Sequence, residues 1–385
     1  MKLAAPWLTH PGTQAVLDAL ENGGHNAWFV GGCVRNSLLN TVVDDIDIAT
    51  DARPERVIDL CQAAGLKSIP TGIDHGTVTV VGEGKPHEIT TLRRDVETDG
   101  RRATVVFSDN LLDDAQRRDF TMNALYATRN GTVLDPTGQG LPDLVARRLR
   151  FIGPPEDRIH EDYLRILRFF RFHAWYADPD AGFDRDGLAA CAQLSGGIDN
   201  LARERVGAEM RKLLAAPDPA PSVATMAQAG VLSRILPGAD ARLLPLLIAF
   251  ETGIDPDPVR RLACLGGTDP TAMLRLSKTD SKALAILRDG MASATTPGAL
   301  GYRYGTDRAQ DIVLLRAAQF ETPPKTSDLD AARSGAGARF PVTSADLMPR
   351  FTGPALGAEL ARLESRWINS GFTLTRAALL TDHQG

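Results

Sequence analysis

The chain has 385 residues, 43 Lys and Arg against 48 Asp and Glu, a net charge of −5 and a pI near 5.8, which excludes a uniformly basic protein that coats nucleic acid. With 43% hydrophobic and 24% charged residues, it is neither disordered nor fibrous, and its length implies two or three domains. No apolar run reaches the roughly 18 residues that a bilayer span needs, and the start MKLAAPWLTHPGTQ lacks a long apolar signal core, so a cytoplasmic location is expected.

Local charge differs from the total. Arginines outnumber lysines 36 to 7, and the ten between Arg117 and Arg171 stand against seven acids, so a positive patch can exist on an acidic chain. Arginine richness is equally compatible with genome composition. Cys33, Cys61, Cys191 and Cys264 form no C-x-x-C or Cys/His cluster, which argues against zinc and against a disulfide scaffold. Any metal is therefore expected on carboxylates.

In chain order, residues 11–23 read as a helix, 27–30 as a strand, Gly31-Gly32 as a turn, 34–39 as a helix and 45–48 as a strand. Side chains alternate along a strand, so Asp45 and Asp47 share one face while Ile46 and Ile48 enter a core. Two adjacent carboxylates repel unless a hard cation with oxygen preference lies between them and a phosphate. Gly31 and Gly32 let backbone N–H groups approach phosphate with no Cβ in the way. Neither G-x-G-x-x-G nor a P-loop is present, and an isolated Asp-x-Asp is more often a loop or a solvated edge.

Beyond this point, Asp51 and Pro54 mark the cap and start of a helix through Ala64. HGTVTVVG and HEITTLR, residues 75–82 and 87–93, read as strands, the second bringing Glu88 as a third carboxylate. Residues 94–110 read as a polar loop. RRDFTMNALY, 117–126, reads as two arginines ahead of an amphipathic helix, with Asp119 as its cap or as an orienter of arginine, and Asp135-Pro136 closes a strand. Residues 158–176 read as one helix with Asp162 and Arg165 on one side. Such a pair is either an i, i+3 salt bridge or a reader of a base edge. A helix is expected over 201–214, then a break at Pro217, Pro219 and Pro221, then helices to the end.

Five segments in order, GGCVRNSLLN with DDIDIAT, EITTLRRD, DGRRATVVF leading to RRDFTMNALY, RFIGPPEDRIHEDYLRILRFFRF and ERVGAEM, resemble the class II tRNA nucleotidyltransferases, the CCA-adding enzymes, together with bacterial poly(A) polymerases. The resemblance implies an α+β head domain of the nucleotidyltransferase superfamily over 1–150, a helical neck over 151–216 and an all-α body and tail over 217–385. It implies Asp45 and Asp47 as Mg²⁺ ligands with Glu88 as the third catalytic carboxylate, and Gly31, Gly32 and Arg35 at the triphosphate. Arg117, Arg118, Asp119 and Asn123 would contact nucleotide, and Glu161, Asp162 and Arg165, with Arg168, would form the base-reading helix. The expected partners are CTP, ATP and the tRNA acceptor arm, with no obligate protein partner and no membrane.

This chain has Arg35-Asn36 where the family usually has Arg-Asp, Leu38-Leu39-Asn40 for Leu-Leu-Gly, and Leu92 where phenylalanine is frequent. The Asn36 departure removes a partner of Arg35 and no metal ligand. Poly(A) addition, CC-only addition and a non-catalytic RNA-binding module are the competing readings.

Overall fold

The computed structural model describes residues 1–73, 76–99 and 102–381. The chain divides into two compact units, residues 1–209 with 228–235, and 210–227 with 236–385.

In the first unit, α1 (Pro11–Asn22) precedes β1 (Ala27–Val30), α2 (Gly32–Leu38) and β2 (Ile46–Thr50). Then come α3 (Pro54–Ala63), β3 (Lys67–Gly72), β4 (Thr77–Gly82) and β5 (Lys85–Thr91). The remaining strands are β6 (Arg93–Asp99), β7 (Arg102–Phe107), β8 (Tyr126–Ala127) and β9 (Val133–Leu134). Seven strands form one sheet in the order β3-β4-β5-β2-β1-β8-β9, with β2 and β5 parallel and the other pairs antiparallel. Val78, Val80, Ile48 and Ile89 are fully or almost fully buried, each contributing about 1.5–3 kcal/mol through burial. The parallel register sets Asp47 beside Glu88. His87, one residue earlier, turns the other way and meets Thr13 of α1 at 2.9 Å, so the carboxylates look away from the α1 side of the sheet.

The expected α+β head is present, with four local corrections. Asp51 does not cap α3; Arg53 holds that position, and Asp51 instead receives the Asn26 amide at 3.1 Å and contacts His25 Nδ1 at 3.0 Å. Residues 94–110 are not a structureless loop: β6 and β7 pair as a separate antiparallel hairpin, and Gly100 and Arg101 lie outside the described residues. Nor is 117–126 a helix. After α4 (Leu111–Gln116), Phe120 is extended (φ −122°, ψ 148°), residues Thr121–Asn123 make one 3₁₀ turn, and the chain joins the sheet as β8. Phe120, Met122, Ala124, Leu125 and Tyr126 are all fully buried, so no polar helical face exists to keep the segment helical.

The fourth correction concerns 158–176. Following α5 (Gly140–Val145), two helices occur, α6 (Pro155–Glu161) and α7 (Leu164–Tyr176), and Asp162 between them is extended (φ −156°, ψ 107°). The Asp162 carboxylate accepts from the Leu164 N–H at 3.0 Å, starting α7. Tyr163 lies so flat on the Gly197 backbone that a Cβ there would fall 2.0 Å from its ring. Helices α8 (Arg185–Gln193) and α9 (Arg203–Leu214) follow.

The second unit is helical, including Pro258–Leu265, Lys278–Ala292, Pro297–Gln319, Thr326–Gly337 and Gly353–Asn369. Buried Glu251 binds both Arg260 and Arg261 at 2.7 Å, and Arg261 also donates to the Leu214 carbonyl at 2.7 Å. A cavity of about 710 Å³, lined by Arg211, Asp257, Arg260, Asp307 and Arg308 among others, lies in this unit and includes none of the expected site residues. Among the described residues no helix is long and apolar enough to cross a membrane.

Candidate active site

All the expected site residues lie in the first unit. Asp45 is exposed immediately before β2, Asp47 is half-buried in it, and Glu88 is exposed on the neighbouring strand. Burial first, then the charges of Glu88 and Asp45, push the Asp47 carboxyl up to about 6 against the opposing pull of Arg118 and Arg35. Ionising Asp47 is thus costly until a cation arrives. Among the described residues no three His, Cys, Asp or Glu side chains are gathered closely enough to hold a metal by themselves. Oxygen donors from a pair of aspartates fit a hard divalent ion that takes its remaining ligands from water or phosphate. Cys33, beside the turn, is buried and its thiol is pushed up to about 12 by desolvation, which makes it a packing residue.

At Gly31 the chain takes φ 71° and ψ −118°, which side chains disfavour, and its N–H donates to the Leu125 carbonyl at 3.0 Å. A Cβ there would also lie 3.3 Å from Arg118 Nη1, so the turn and this guanidinium adjoin. Asn40 adopts φ 55° just beyond α2, the left-handed helix-end conformation that glycine or asparagine can supply.

Asp114, absent from the sequence reading, organises the arginine pair. Its carboxylate, 1% exposed, takes Arg117 at 2.7 Å, Arg118 at 3.0 Å and the Tyr126 hydroxyl at 2.6 Å. Burial would raise its pKa, but Arg118 and Arg117 outweigh that and hold it well below the usual carboxylate range.

Asp119 does orient an arginine. It accepts from Arg168 Nε at 2.7 Å, from its neighbour Phe120 N–H at 2.9 Å and from Asn123 Nδ2 at 2.9 Å. Asn123 accepts from Arg35 in turn, forming a chain from the glycine turn to α7. Arg35 keeps a partner despite the missing aspartate: it donates through Nε and Nη2 to Asn36 Oδ1 at 3.1 and 2.8 Å, and to Tyr176 at 2.9 Å.

The α6–α7 junction replaces the simple salt bridge. Asp162 pairs with Arg205 of α9 at 2.6 Å, not with Arg165. Arg165 donates to Glu161 at 2.6 Å and to the Arg158 and Arg117 carbonyls at 3.1 Å. Arg158 also pairs with Glu161 and donates to the Arg117 and Arg118 carbonyls at 2.6 and 3.1 Å. The base-reading candidates are thereby joined to the arginine pair. Sequence reasoning missed Asp114, Arg158, Tyr176 and Arg205. Spacing alone could have found Asp114, three and four residues before the two arginines; no local signal joins Arg205 to a residue 43 positions away.

The Poly A polymerase head domain family matches residues 27–150, and the family described as "Probable RNA and SrmB- binding site of polymerase A" matches 183–243. The mouse (Mus musculus) protein CCA tRNA nucleotidyltransferase 1, mitochondrial, is 30% identical across 99% of this chain and 92% of its own length. A CCA-adding enzyme from Bacillus cytotoxicus is 33% identical, covering 70% of this chain and 67% of its own. The crystal structure of the Bacillus stearothermophilus CCA-adding enzyme in complex with CTP has a TM-score of 0.72 and 27% identity, covering 95% of this chain and 94% of the other.

Proposed function

The chain belongs to the family of CCA-adding tRNA nucleotidyltransferases, and on that premise we propose that it adds C, C and A to the 3′ end of tRNA from CTP and ATP, releasing pyrophosphate, with no nucleic-acid template. The carrying observation is Asp47, set in register beside Glu88 and under the opposing influence of Arg118 and Arg35. Negative ligands for a cation and positive groups for a triphosphate meet there.

The family depends on a divalent metal, which we take to be Mg²⁺ held by Asp45 and Asp47. When bound, it lowers the pKa of the attacking RNA hydroxyl and neutralises charge at phosphorus. Gly31, Gly32, Arg35, Arg117 and Arg118 receive the triphosphate; Asp119 and Asn123 keep Arg168 and Arg35 in place. Glu88 adds the third carboxylate of the site.

For base choice, Asp162 retains acceptor capacity beyond its bonds to Leu164 and Arg205. It can accept from the exocyclic amine that C and A share. Three of the five Arg165 N–H groups are engaged, leaving Nε–H and one Nη2–H for ring acceptors. U and G present a carbonyl at that edge, which against Asp162 costs about 1–3 kcal/mol. Glu161 fixes Arg165.

The reading keeps the division into head (1–150), neck (151–216) and body with tail (217–385), the last gripping the tRNA acceptor arm, and a cytoplasmic site of action. Its test is incubation of purified protein with tRNA lacking one, two or three terminal nucleotides and each NTP in turn. Completion to CCA and no further is expected. Unlimited addition of A would instead make it a poly(A) polymerase, and arrest after two C residues a CC-adding enzyme.

A further inference from the structure

We infer that Asn36 is a positioning residue for nucleotide addition: its amide accepts from Arg35 on one side and donates to the Val42 carbonyl on the other. It thereby leaves the guanidinium without a carboxylate partner and ties down the segment leading to Asp45. The inference rests on the proposed triphosphate role of Arg35.

The bonds define the arrangement. Asn36 Oδ1 receives Arg35 Nε at 3.1 Å and Nη2 at 2.8 Å, while Asn36 Nδ2 donates to Val42 at 2.7 Å. The second contact fixes which way the amide points. Every other acceptor on Arg35 is neutral too, namely the Asn123 amide and the Tyr176 hydroxyl. The Tyr176 and Phe172 rings lie 4.0 and 5.1 Å from the guanidinium carbon. Among the described residues no carboxylate forms an ion pair with Arg35. The buried guanidinium, 5% exposed, therefore keeps a charge that no direct ion pair cancels.

Residues 41–45 have no regular secondary structure, and Val42 is 74% exposed. Little packing can fix this segment. Its ties are the Asn36 side chain to Val42 and the Asn36 carbonyl, which receives Thr41 N at 2.9 Å and Thr41 Oγ1 at 3.3 Å. Asp45 follows three residues after Val42. An amide offers an acceptor to arginine and a donor to a carbonyl from one planar group, whereas an ionised carboxylate only accepts. A carboxylate would cancel the guanidinium charge and set its second oxygen against the Val42 carbonyl; alanine would do neither job.

The test compares Asn36→Asp and Asn36→Ala with the wild type in the full chain with Mg²⁺. Calorimetric titration uses CTP and, separately, inorganic tripolyphosphate, and steady-state kinetics follow addition to tRNA. Asn36→Asp should weaken binding of both ligands roughly tenfold without a lower melting temperature. Asn36→Ala should change these affinities by less than about threefold and lower kcat roughly tenfold. Wild-type affinity in Asn36→Asp would overturn the charge argument, and wild-type kcat in Asn36→Ala the tether. If the wild type binds both ligands and extends no tRNA, the proposed function fails, while the Asn36→Asp titration still decides the charge argument.

Discussion

Asp114→Asn is expected to damage both stability and nucleotide use, because one buried carboxylate serves two arginines. Asparagine keeps the shape but replaces one acceptor oxygen with an amino group. Whichever way the amide turns, Arg117 or Arg118 then faces a donor. Their side chains are 14% and 18% exposed, so water only partly compensates. Loss of a partner in a buried pair costs about 3–5 kcal/mol, and this residual exposure favours the lower end. For a unit of this size, about 3 kcal/mol corresponds to a fall of roughly 6–12 °C in Tm. On the proposal that Arg117 and Arg118 receive the triphosphate, displacing one of them should lower kcat/KM for CTP by roughly 10–100-fold. Tyr126→Phe removes the hydroxyl's donation to Asp114 and its acceptance from Arg118 Nε but leaves both arginine pairs, so it should cost less, about 1.5–2 kcal/mol. Thermal unfolding and CTP addition to tRNA, measured on both variants, test the assignment. Wild-type melting and wild-type KM in Asp114→Asn would show that the arginines are held by something else.

Asp45→Asn or Asp47→Asn should abolish addition of both C and A while tRNA binding is largely kept; near-normal turnover in either at saturating Mg²⁺ would defeat the metal-ligand assignment. Asp162→Ala or Arg165→Ala should lose up to a few kcal/mol of selection for CTP and ATP over UTP and GTP, and unchanged selectivity in a four-nucleotide competition would reject base reading. Deleting residues 99–102 should spare C addition and impair terminal A, and equal loss of both in a folded variant would reject a role in the change from C to A. His173, stacked on Phe183 at 3.5 Å, is lowered from 6.5 to about 4 by burial. Its neutral form is favoured in the fold, so its contribution is complete above pH 6.5 and is lost as pH falls from there toward 4. Between pH 7 and 5 the loss is about 2 kcal/mol. Denaturant unfolding of His173→Gln should show that much less acid sensitivity, and an unaltered pH profile would remove His173 as a cause.

The ordered motifs singled out Asp45, Asp47, Glu88 and the glycine turn as candidates because those features are local. Period-2 alternation through Ile46-Asp47-Ile48 requires a buried and a functional face, and a positive φ at position 31 requires glycine. The same local rules misread 117–126 and 158–176. In the first, Phe120 to Tyr126 is buried on all sides, Thr121 and Asn123 included, and periodicity cannot tell a buried helix from a strand that enters a sheet. In the second, the helical pattern runs through Asp162, but Tyr163 packing on Gly197 and the carboxylate bonding Leu164 break it there. Only the tertiary structure decided which charges meet: Arg205 rather than Arg165 for Asp162, Asn123 between Arg35 and Asp119, and Asn36 between Arg35 and Val42. Residue spacing specifies which side chains share a helix or strand face. Partners on separate elements are selected by the packing that brings those elements together, where a buried charge must find an acceptor or donor among whatever the fold places within 3 Å or so.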